Sequence, residues 1–268
     1  MTSPGERDDA LLRGELVPVG RIRSASNATF LCEARLGETV VDCVYKPVAG
    51  EQPLWDFPDG TLADREVGAY LISEALGWNI VPHTVIRQGP AGIGMVQRWV
   101  EQPAQPDDPS PAGLVELCPS ASIPPGYLSI VTAYDYSGGE VTLVHADHPQ
   151  LRRMAVFDVV TNNADRKGGH ILAGSGGAVY GVDHGISLHV QDKLRTVLWG
   201  WAGEPIGADE QAELAALDAK LAGKLGTRLR KHITGAELAA LRRRIRRLID
   251  DPVMPSPNGR RPLPWPAF

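Results

Sequence analysis

The sequence predicts a two-lobed α+β protein with a small, mostly β N-terminal lobe and a mostly helical C-terminal lobe. Apolar residues alternate with polar ones in short runs between residues 14 and 101, which is typical of strands. Apolar residues recur three or four positions apart between residues 209 and 250, which is typical of amphipathic helices. Between these regions, a helical run ends in an Asp-bearing turn, and a short hairpin then leads to a second Asp.

The predicted boundaries follow the changes in composition along the 268 residues. This length fits one large domain or two small lobes. The predicted segments are a disordered lead-in at 1–13, an N-terminal lobe at 14–101, a Pro-rich linker or surface insertion at 102–125, a C-terminal lobe at 126–250 and a Pro-rich tail at 251–268.

Composition excludes several classes of protein. The net charge of -5 argues against a general nucleic-acid-binding protein. No apolar run approaches the ~18 residues of a membrane span, and the charged start of the chain lacks an apolar signal region. Cys32, Cys43 and Cys118 have no metal-ligand spacing, and an odd number of cysteines makes a poor disulfide framework. We therefore expect reduced thiols and a cytoplasmic protein.

Small polar residues fill the predicted turn between the first two strands, at Ser24, Ser26, Asn27 and Thr29. Backbone N–H groups and hydroxyls in such a turn can face phosphate oxygens. The alternative is an ordinary hairpin. Lys46 ends the third predicted strand, where its ammonium can project into a cleft and meet an α- or β-phosphate as a point charge. The alternative for Lys46 is a solvated side chain.

A helix is predicted between Thr61, which forms a variant capping box with Asp64, and Gly77, which is typical of a helix end. Glu66 lies beside the apolar stripe of this helix and could reach the lysine that ends the third strand. Asp64 and Glu74 are alternative partners, and a solvated carboxylate is a further interpretation of Glu66. Two more strands are predicted at 80–86 and 93–101, and two further helices at 209–225 and 235–250.

The segment from 154 to 185 carries the strongest functional pattern. A helical run precedes Asp165, and His170 follows five residues later. A Gly/Ser turn and a short strand then lead to Asp183. In this layout one Asp can orient or deprotonate a hydroxyl, while a nearby side chain and the second Asp hold a divalent metal against phosphates.

This segment resembles a known family of kinases. Asp165-Arg-Lys-Gly-Gly-His170-Ile-Leu is similar to the Asp-Arg-His-x-x-Asn-Ile-Leu loop of the phosphatidylinositol 3-/4-kinase superfamily, and Val182-Asp-His-Gly185 is similar to its Ile-Asp-Phe-Gly. The Asp-before-Arg order differs from the His-Arg-Asp of protein kinases and is shared with HipA-like kinases. More narrowly, the chain resembles the short actinobacterial phosphatidylinositol 3-/4-kinase-like proteins.

The resemblance implies a two-lobed kinase-like fold that binds ATP with Mg2+ or Mn2+. It assigns Asp165 as the catalytic base or orienting group, Lys167 to the γ-phosphate, Arg166 as a buttress of the loop, and His170 with Asp183 to the metal. His170 stands where the family has Asn, and Lys167 stands where it has His. Because Mg2+ prefers oxygen ligands, metal preference and catalytic power stay open.

The 93–101 strand resembles the family's Gly-x-x-x-x-Trp-Val segment, which leads into the linker between lobes. In that case Met95 lies behind the adenine, and backbone groups from Gln97 to Val100 bond its edge. A core strand with a packed Trp is the compatible alternative. The predicted nucleotide-binding residues are Ser24, Ser26, Asn27, Thr29, Lys46, Glu66, Met95, Gln97, Trp99 and Val100.

Residues 186–201 occupy the position of an activation segment. Lys193 and Arg195 there suit an anionic acceptor, whereas Trp199 and Trp201 are either acceptor-facing or part of the core. The acceptor hydroxyl stays open among protein Ser/Thr, an inositol lipid and a small molecule. The basic run 242–247 could make transient membrane contact or be a solvated helix face.

Two other classes of function stay open. The first is a nucleotide-binding pseudokinase or scaffold with little or no transfer. The second is a metallohydrolase that would use His170, Asp183, His184 and His189. A polar loop with His145, Asp147 and His148 is a further candidate for metal binding, although its place before a helix explains it equally well.

Overall fold

The structure is a computed structural model that describes residues 3–22, 27–58, 60–102, 113–258 and 261–268. Its N-terminal part is rich in sheet and its C-terminal part is mostly helical, so the predicted two-lobed α+β kinase-like class is confirmed. None of the helices in these ranges is both long and apolar enough to cross a membrane. The three cysteines are buried free thiols.

A five-stranded antiparallel sheet forms the N-terminal lobe. Its strands, in sheet order, are β1 (Glu15–Arg21), β2 (Phe30–Leu36), β3 (Thr39–Pro47), β5 (Gly92–Arg98) and β4 (Thr84–Gly89). Burial alternates along β3, as the pleat of a strand requires. Cys43 and Tyr45 pack in the core on one face of the sheet, and Lys46 therefore lies on the opposite face.

The prediction of a disordered lead-in at 1–13 is wrong for residues 3–13. Helix α1 (Pro4–Arg13) begins at Ser3, which forms a capping box with Glu6. Leu11 is fully buried in the core of the N-terminal lobe together with residues of β2 and β3. The charged composition concealed this helix because only two of its residues, Leu11 among them, are buried.

Helix α2 (Leu62–Leu76) forms as the sequence predicts. The Thr61 hydroxyl accepts a hydrogen bond from the Asp64 N–H, and Gly77 ends the helix in the left-handed region at φ 72°. The helix contacts β4 and β5. Glu66 is 1% exposed on this helix, so the packing of α2 fixes the position of one carboxylate beneath the sheet.

A second antiparallel sheet begins the C-terminal part, and its strands, in sheet order, are β6 (Val115–Pro119), β8 (Glu140–Ala146) and β7 (Tyr127–Tyr134). β7 and β8 lie at the start of the segment that is predicted as the C-terminal lobe. β6 (Val115–Pro119) lies inside the segment predicted as linker or insertion, so that prediction is wrong for residues 115–119. The flanking prolines concealed a five-residue strand that pairs with β8.

The remaining elements are α3 (Pro149–Thr161), β9 (Ile171–Ala173), β10 (Val179–Gly181), α4 (Ala208–Leu221), α5 (Lys224–Leu229) and α6 (Gly235–Asp250). The predicted helix 209–225 ends earlier, at Leu221, because Gly223 separates α4 from α5. The predicted helix 235–250 is present and begins with a capping box between Thr234 and Glu237.

The described part of the predicted tail packs on the C-terminal lobe. Met254 is 3% exposed, the Trp199 indole N–H donates to the Pro262 carbonyl over 3.0 Å, and the Gly168 N–H donates to the Ala267 carbonyl over 2.7 Å. Prolines prevent helix and strand formation here but leave carbonyls free to accept these bonds. The prediction of a separate tail is therefore corrected for these residues.

Candidate active site

Lys46, at the end of β3, is the centre of a charged cluster. Its Nζ lies 2.8 Å from Glu66 Oε1 on α2 and 2.8 Å from Asp183 Oδ1 in the loop after β10. Burial alone would lower the pKa of Lys46, but the two carboxylates outweigh it and raise that pKa above its ordinary value. Lys46 is therefore a fixed positive charge that joins the two lobes.

Glu66 is the carboxylate of α2 that contacts Lys46. Its Oε2 also accepts a hydrogen bond of 2.9 Å from the backbone N–H of His184. Burial raises the pKa of Glu66, and the ammonium of Lys46 opposes this. The two other carboxylates considered as partners of Lys46 contact different residues. Asp64 Oδ1 is 2.8 Å from the His232 ring, and Glu74 accepts a hydrogen bond from a tyrosine hydroxyl.

Asp183 sits between Lys46 and His170. Its Oδ2 is 3.5 Å from His170 Nε2, and its side chain is half-exposed. The ammonium of Lys46 is the largest cause that lowers the pKa of Asp183 below its ordinary value, although burial opposes it. The backbone of Asp183 has φ 59°, in the left-handed region that non-glycine residues rarely adopt. Such strained residues concentrate at functional sites.

His170 presents a neutral imidazole to Asp183. Its Nδ1 lies 2.9 Å from the Asp165 carbonyl oxygen, so Nδ1 carries the proton and donates it there. Burial lowers the pKa of His170 to about 4. Nε2 therefore keeps its lone pair at neutral pH. An imidazole nitrogen beside a carboxylate is a donor pair that divalent transition metals accept.

The donor pair of His170 and Asp183 fits one divalent cation. Within the described ranges no three His, Cys, Asp or Glu side chains cluster as a complete metal site. The other ligands would therefore come from phosphate oxygens and water, as is usual for Mg2+ at phosphoryl-transfer sites.

Asp165 and Lys167 lie on the same loop, with Lys167 Nζ 3.3 Å from Asp165 Oδ2. Burial raises the pKa of Asp165, and Lys167 opposes the shift. The Asn163 side chain accepts a hydrogen bond of 3.0 Å from the Asp165 N–H, which orients the loop. A cavity of about 180 Å3, the Lys46 cavity, is lined by Asn27, Lys46, Glu66, Asp165, Lys167 and Asp183, among others.

Arg166 holds the loop from behind, which confirms its interpretation as a buttress. Its Nη2 lies 2.9 Å from Asp158 Oδ1, and both side chains are 0% exposed. Nη1 donates to the Val182 carbonyl over 3.1 Å, and Nη2 lies 2.6 Å from His184 Nε2. One guanidinium thus ties α3 to both Asp-bearing loops.

Asp158 and Glu51 belong to the site but were not predicted from the sequence. A carboxylate inside the apolar run of α3 was the signal for Asp158, since such a residue is buried only when paired. Glu51 lines the Lys46 cavity and accepts hydrogen bonds of 2.9 and 2.8 Å from the N–H groups of Leu62 and Ala63, at the start of α2. Its position in an irregular loop gave no signal.

The phosphate-facing turn predicted between β1 and β2 is described only in part, since Ser24 and Ser26 lie outside the described residues. Asn27 lines the Lys46 cavity, and its Oδ1 accepts a hydrogen bond of 3.0 Å from the Gln52 N–H. Thr29 is 3% exposed, and its hydroxyl donates to the Asn27 carbonyl.

The residues predicted to surround the adenine lie on or after β5. Met95 is fully buried opposite Lys46 in the sheet register. The Gln97 side chain donates to a threonine hydroxyl of β4 over 2.8 Å. Trp99 and Val100 line a separate cleft of about 370 Å3. None of these four residues is among those that line the Lys46 cavity.

The activation segment, defined as residues 186–201, is ordered by packing. Trp199 and Trp201 are 7% and 1% exposed, so both are part of the core. Lys193 donates to the Asp56 carbonyl over 2.9 Å and lies 4.9 Å from the centre of the Phe57 ring. Lys193 is therefore held by the loop that precedes α2.

Apart from His170, three histidines of the two alternative metal sets, His184, His189 and His145, have other partners. His184 contacts Arg166, His189 accepts from the Gln191 N–H, and His145 Nε2 accepts from the Gly200 N–H over 3.0 Å. Each of these histidines therefore has a structural role of its own. Neither set therefore forms a metal site in the described part of the chain.

The fold and the charged cluster together define a two-lobed α+β protein in which Lys46, Glu66, Asp165 and Asp183 line one cavity. No family model matches the chain. It is 62% identical over 271 residues to Protein Rv2133c of Mycobacterium tuberculosis, with 100% of this chain and 98% of that protein covered. The chain belongs to the family of that protein.

Two solved kinases resemble the structure in outline. The Golgi casein kinase has a TM-score of 0.48 at 12% identity, covering 93% of this chain and 75% of that one. The Helicobacter pylori proinflammatory kinase CtkA has a TM-score of 0.40 at 11% identity, covering 90% of this chain and 93% of that one. Similarity at this level identifies no substrate for this chain.

Proposed function

We propose that the protein is an ATP-dependent phosphotransferase of the phosphatidylinositol 3-/4-kinase-like type. The observation that carries the proposal is the position of Lys46 Nζ, 2.8 Å from both Glu66 and Asp183 and in one cavity with Asp165. A lysine fixed by a helix carboxylate, next to a metal-binding Asp and a catalytic Asp, is the arrangement that phosphoryl transfer requires.

Each residue of the cluster has a defined role in this proposal. Lys46 binds the α- or β-phosphate, and Lys167 neutralises charge on the γ-phosphate. His170 and Asp183 would hold the divalent metal, which supplies charge neutralisation at the phosphates when bound. Because one donor is an imidazole nitrogen, we expect Mn2+ to be preferred over Mg2+.

Asp165 receives the proton of the acceptor hydroxyl. As the acceptor oxygen bonds to the γ-phosphorus, the bond from that phosphorus to the bridging oxygen breaks and ADP leaves. Burial, which raises the pKa of Asp165, makes its carboxylate a better proton acceptor than an exposed one. The acceptor class stays open among protein Ser/Thr, inositol lipids and small molecules.

The second candidate is a nucleotide-binding pseudokinase or scaffold. It is favoured by the replacement of an oxygen ligand by His170, and by the contact of Asp183 Oδ1 with Lys46. In that case ATP binds to the cluster, but the phosphoryl group is not transferred.

The test is transfer from γ-labelled ATP to Ser/Thr peptides, inositol-lipid vesicles and water, with Mn2+ or Mg2+. The variant is Asp165→Asn, and the matched control is Asp209→Asn on the exposed start of α4. We expect Asp165→Asn to lower transfer by about 100-fold or more, with ATP binding retained. ATP binding without transfer by the wild type supports the pseudokinase. Absence of ATP binding refutes both candidates.

A further inference from the structure

A second cavity, the α6 cavity, lies in the C-terminal lobe. It has a volume of about 320 Å3 and lies between the ends of α3 and α6, residues 192–199 of the activation segment and residues 251–258. Its lining residues are all different from those of the Lys46 cavity. The proposed phosphoryl transfer therefore does not explain it.

Arg244 lines the α6 cavity and is only 5% exposed. Its Nε donates to the Val160 carbonyl over 3.0 Å, and its Nη1 donates to the His189 carbonyl over 3.2 Å. Its Nη2 is buried without a hydrogen-bond partner among the described residues. Since a buried donor is costly when unpaired, this nitrogen indicates a missing acceptor.

The positive charge of Arg244 favours an anion as this acceptor. Burial lowers the pKa of Arg244 to about 10 against the opposing effect of Asp192, so the guanidinium is still charged at neutral pH. Asp192 and Asp251 also line the cavity, and Asp192 Oδ2 lies 3.3 Å from Nη1 of Arg247. A ligand with one negative charge is therefore attracted to Arg244. A second negative charge on the ligand would be repelled by the carboxylates of Asp192 and Asp251.

The rest of the cavity suits an apolar ligand body. Leu194, Trp199, Leu248 and Met254 contribute to its lining. We propose that the α6 cavity binds a small amphipathic monocarboxylate, with its carboxylate at Arg244 and its hydrocarbon part against these side chains.

Occupation of this cavity would stabilise the activation segment. Asn162, which also lines the cavity, donates through its amide to the His189 and Gln191 carbonyls over 3.1 and 2.6 Å. Its Oδ1 accepts from the Lys193 N–H over 2.8 Å. Asn162 and Arg244 thus hold the same stretch of backbone, and a ligand that fixes Arg244 also fixes residues 189–193.

The experiment is calorimetric titration of the full chain with octanoate, without ATP, so that its outcome is independent of phosphoryl transfer. Octanamide is the uncharged control of the same shape. Val253, at 39% exposure, lines the cavity, and Val253→Trp fills it from the rim while Arg244 stays in place. Arg244→Met removes the guanidinium at similar length.

We expect saturable binding of one octanoate, at least about tenfold weaker binding of octanamide, and loss of binding in Val253→Trp without loss of thermal stability. Hydrogen exchange at residues 189–194 should slow when octanoate is bound. If Arg244→Met does not fold, octanamide and Val253→Trp still decide the question. Absence of saturable binding at millimolar octanoate, equal binding of octanamide, or unchanged binding to Val253→Trp would overturn the proposal and leave water as the partner of Nη2.

Discussion

Replacement of Asp158 by Ala should destabilise the protein strongly. Asp158 and Arg166 are both 0% exposed, and the carboxylate also accepts hydrogen bonds of 3.1 Å from Asn163 and Thr196. Asp158→Ala leaves the guanidinium buried without its counter-ion. Breaking a buried ion pair in this way costs about 3–5 kcal/mol, a large share of a typical stability of about 5–15 kcal/mol.

The assay is urea unfolding at neutral pH, followed by circular dichroism, on Asp158→Ala, Arg166→Met and the double variant. Because the double variant leaves no unpaired charge, its loss should be smaller than the sum of the two single losses by about 3 kcal/mol. The control is Glu204→Ala, which removes a half-exposed partner 3.0 Å from Arg152 and should cost less than about 1 kcal/mol. A loss for Asp158→Ala no larger than that of the control, or single losses that simply add in the double variant, would show that Asp158 and Arg166 do not form a stabilising buried pair.

Two further predictions concern charge. Glu66→Gln should weaken ATP binding about tenfold or more in titration calorimetry, because Lys46 loses its buried ionic partner. The control variant Glu74→Gln should leave ATP binding unchanged. Equal effects of the two variants would contradict the assignment of Glu66. The second prediction concerns His145, whose Nε2 accepts a hydrogen bond from the Gly200 N–H and whose pKa is lowered by burial. Below pH ~6.5 the unfolded chain therefore binds a proton that the folded chain does not. The free energy of unfolding should fall as the pH falls, by up to about 1.4 kcal/mol per pH unit. In urea unfolding between pH 7 and 5, His145→Gln should make the free energy of unfolding less dependent on pH. An unchanged slope of this free energy against pH would contradict the prediction.

Local sequence signals were sufficient to predict most of the secondary structure. Capping boxes and glycine stops lie within short windows, so α2 and α6 are found close to their predicted bounds. Helix α1 and strand β6 were missed because tertiary packing, rather than periodicity, stabilises them. Leu11 packs in the core against buried residues of the sheet, and Val115–Pro119 pairs with a strand more than twenty residues later.

For the candidate site, residue types could be predicted but contacts could not. The order of Lys46, Glu66, Asp165 and Asp183 along the chain predicts a cluster, and the structure brings all four to one cavity. The hydrogen bond from His170 to the Asp165 carbonyl depends on the loop conformation, which no residue pattern encodes. Of the residues of β5 that were predicted to surround the adenine, Met95 is the one next to the cluster, because it pairs with Lys46 in the sheet.

The most direct test of the kinase-like site is titration of ATP in the presence of Mn2+, and separately Mg2+, into the wild type, Asp183→Asn and Asp209→Asn. Asp183 touches both Lys46 and His170, whereas Asp209 is exposed on α4. We predict metal-dependent ATP binding that Asp183→Asn abolishes and Asp209→Asn leaves intact. ATP binding that is absent with both metals, or that Asp183→Asn does not change, would contradict the assignment of this cluster.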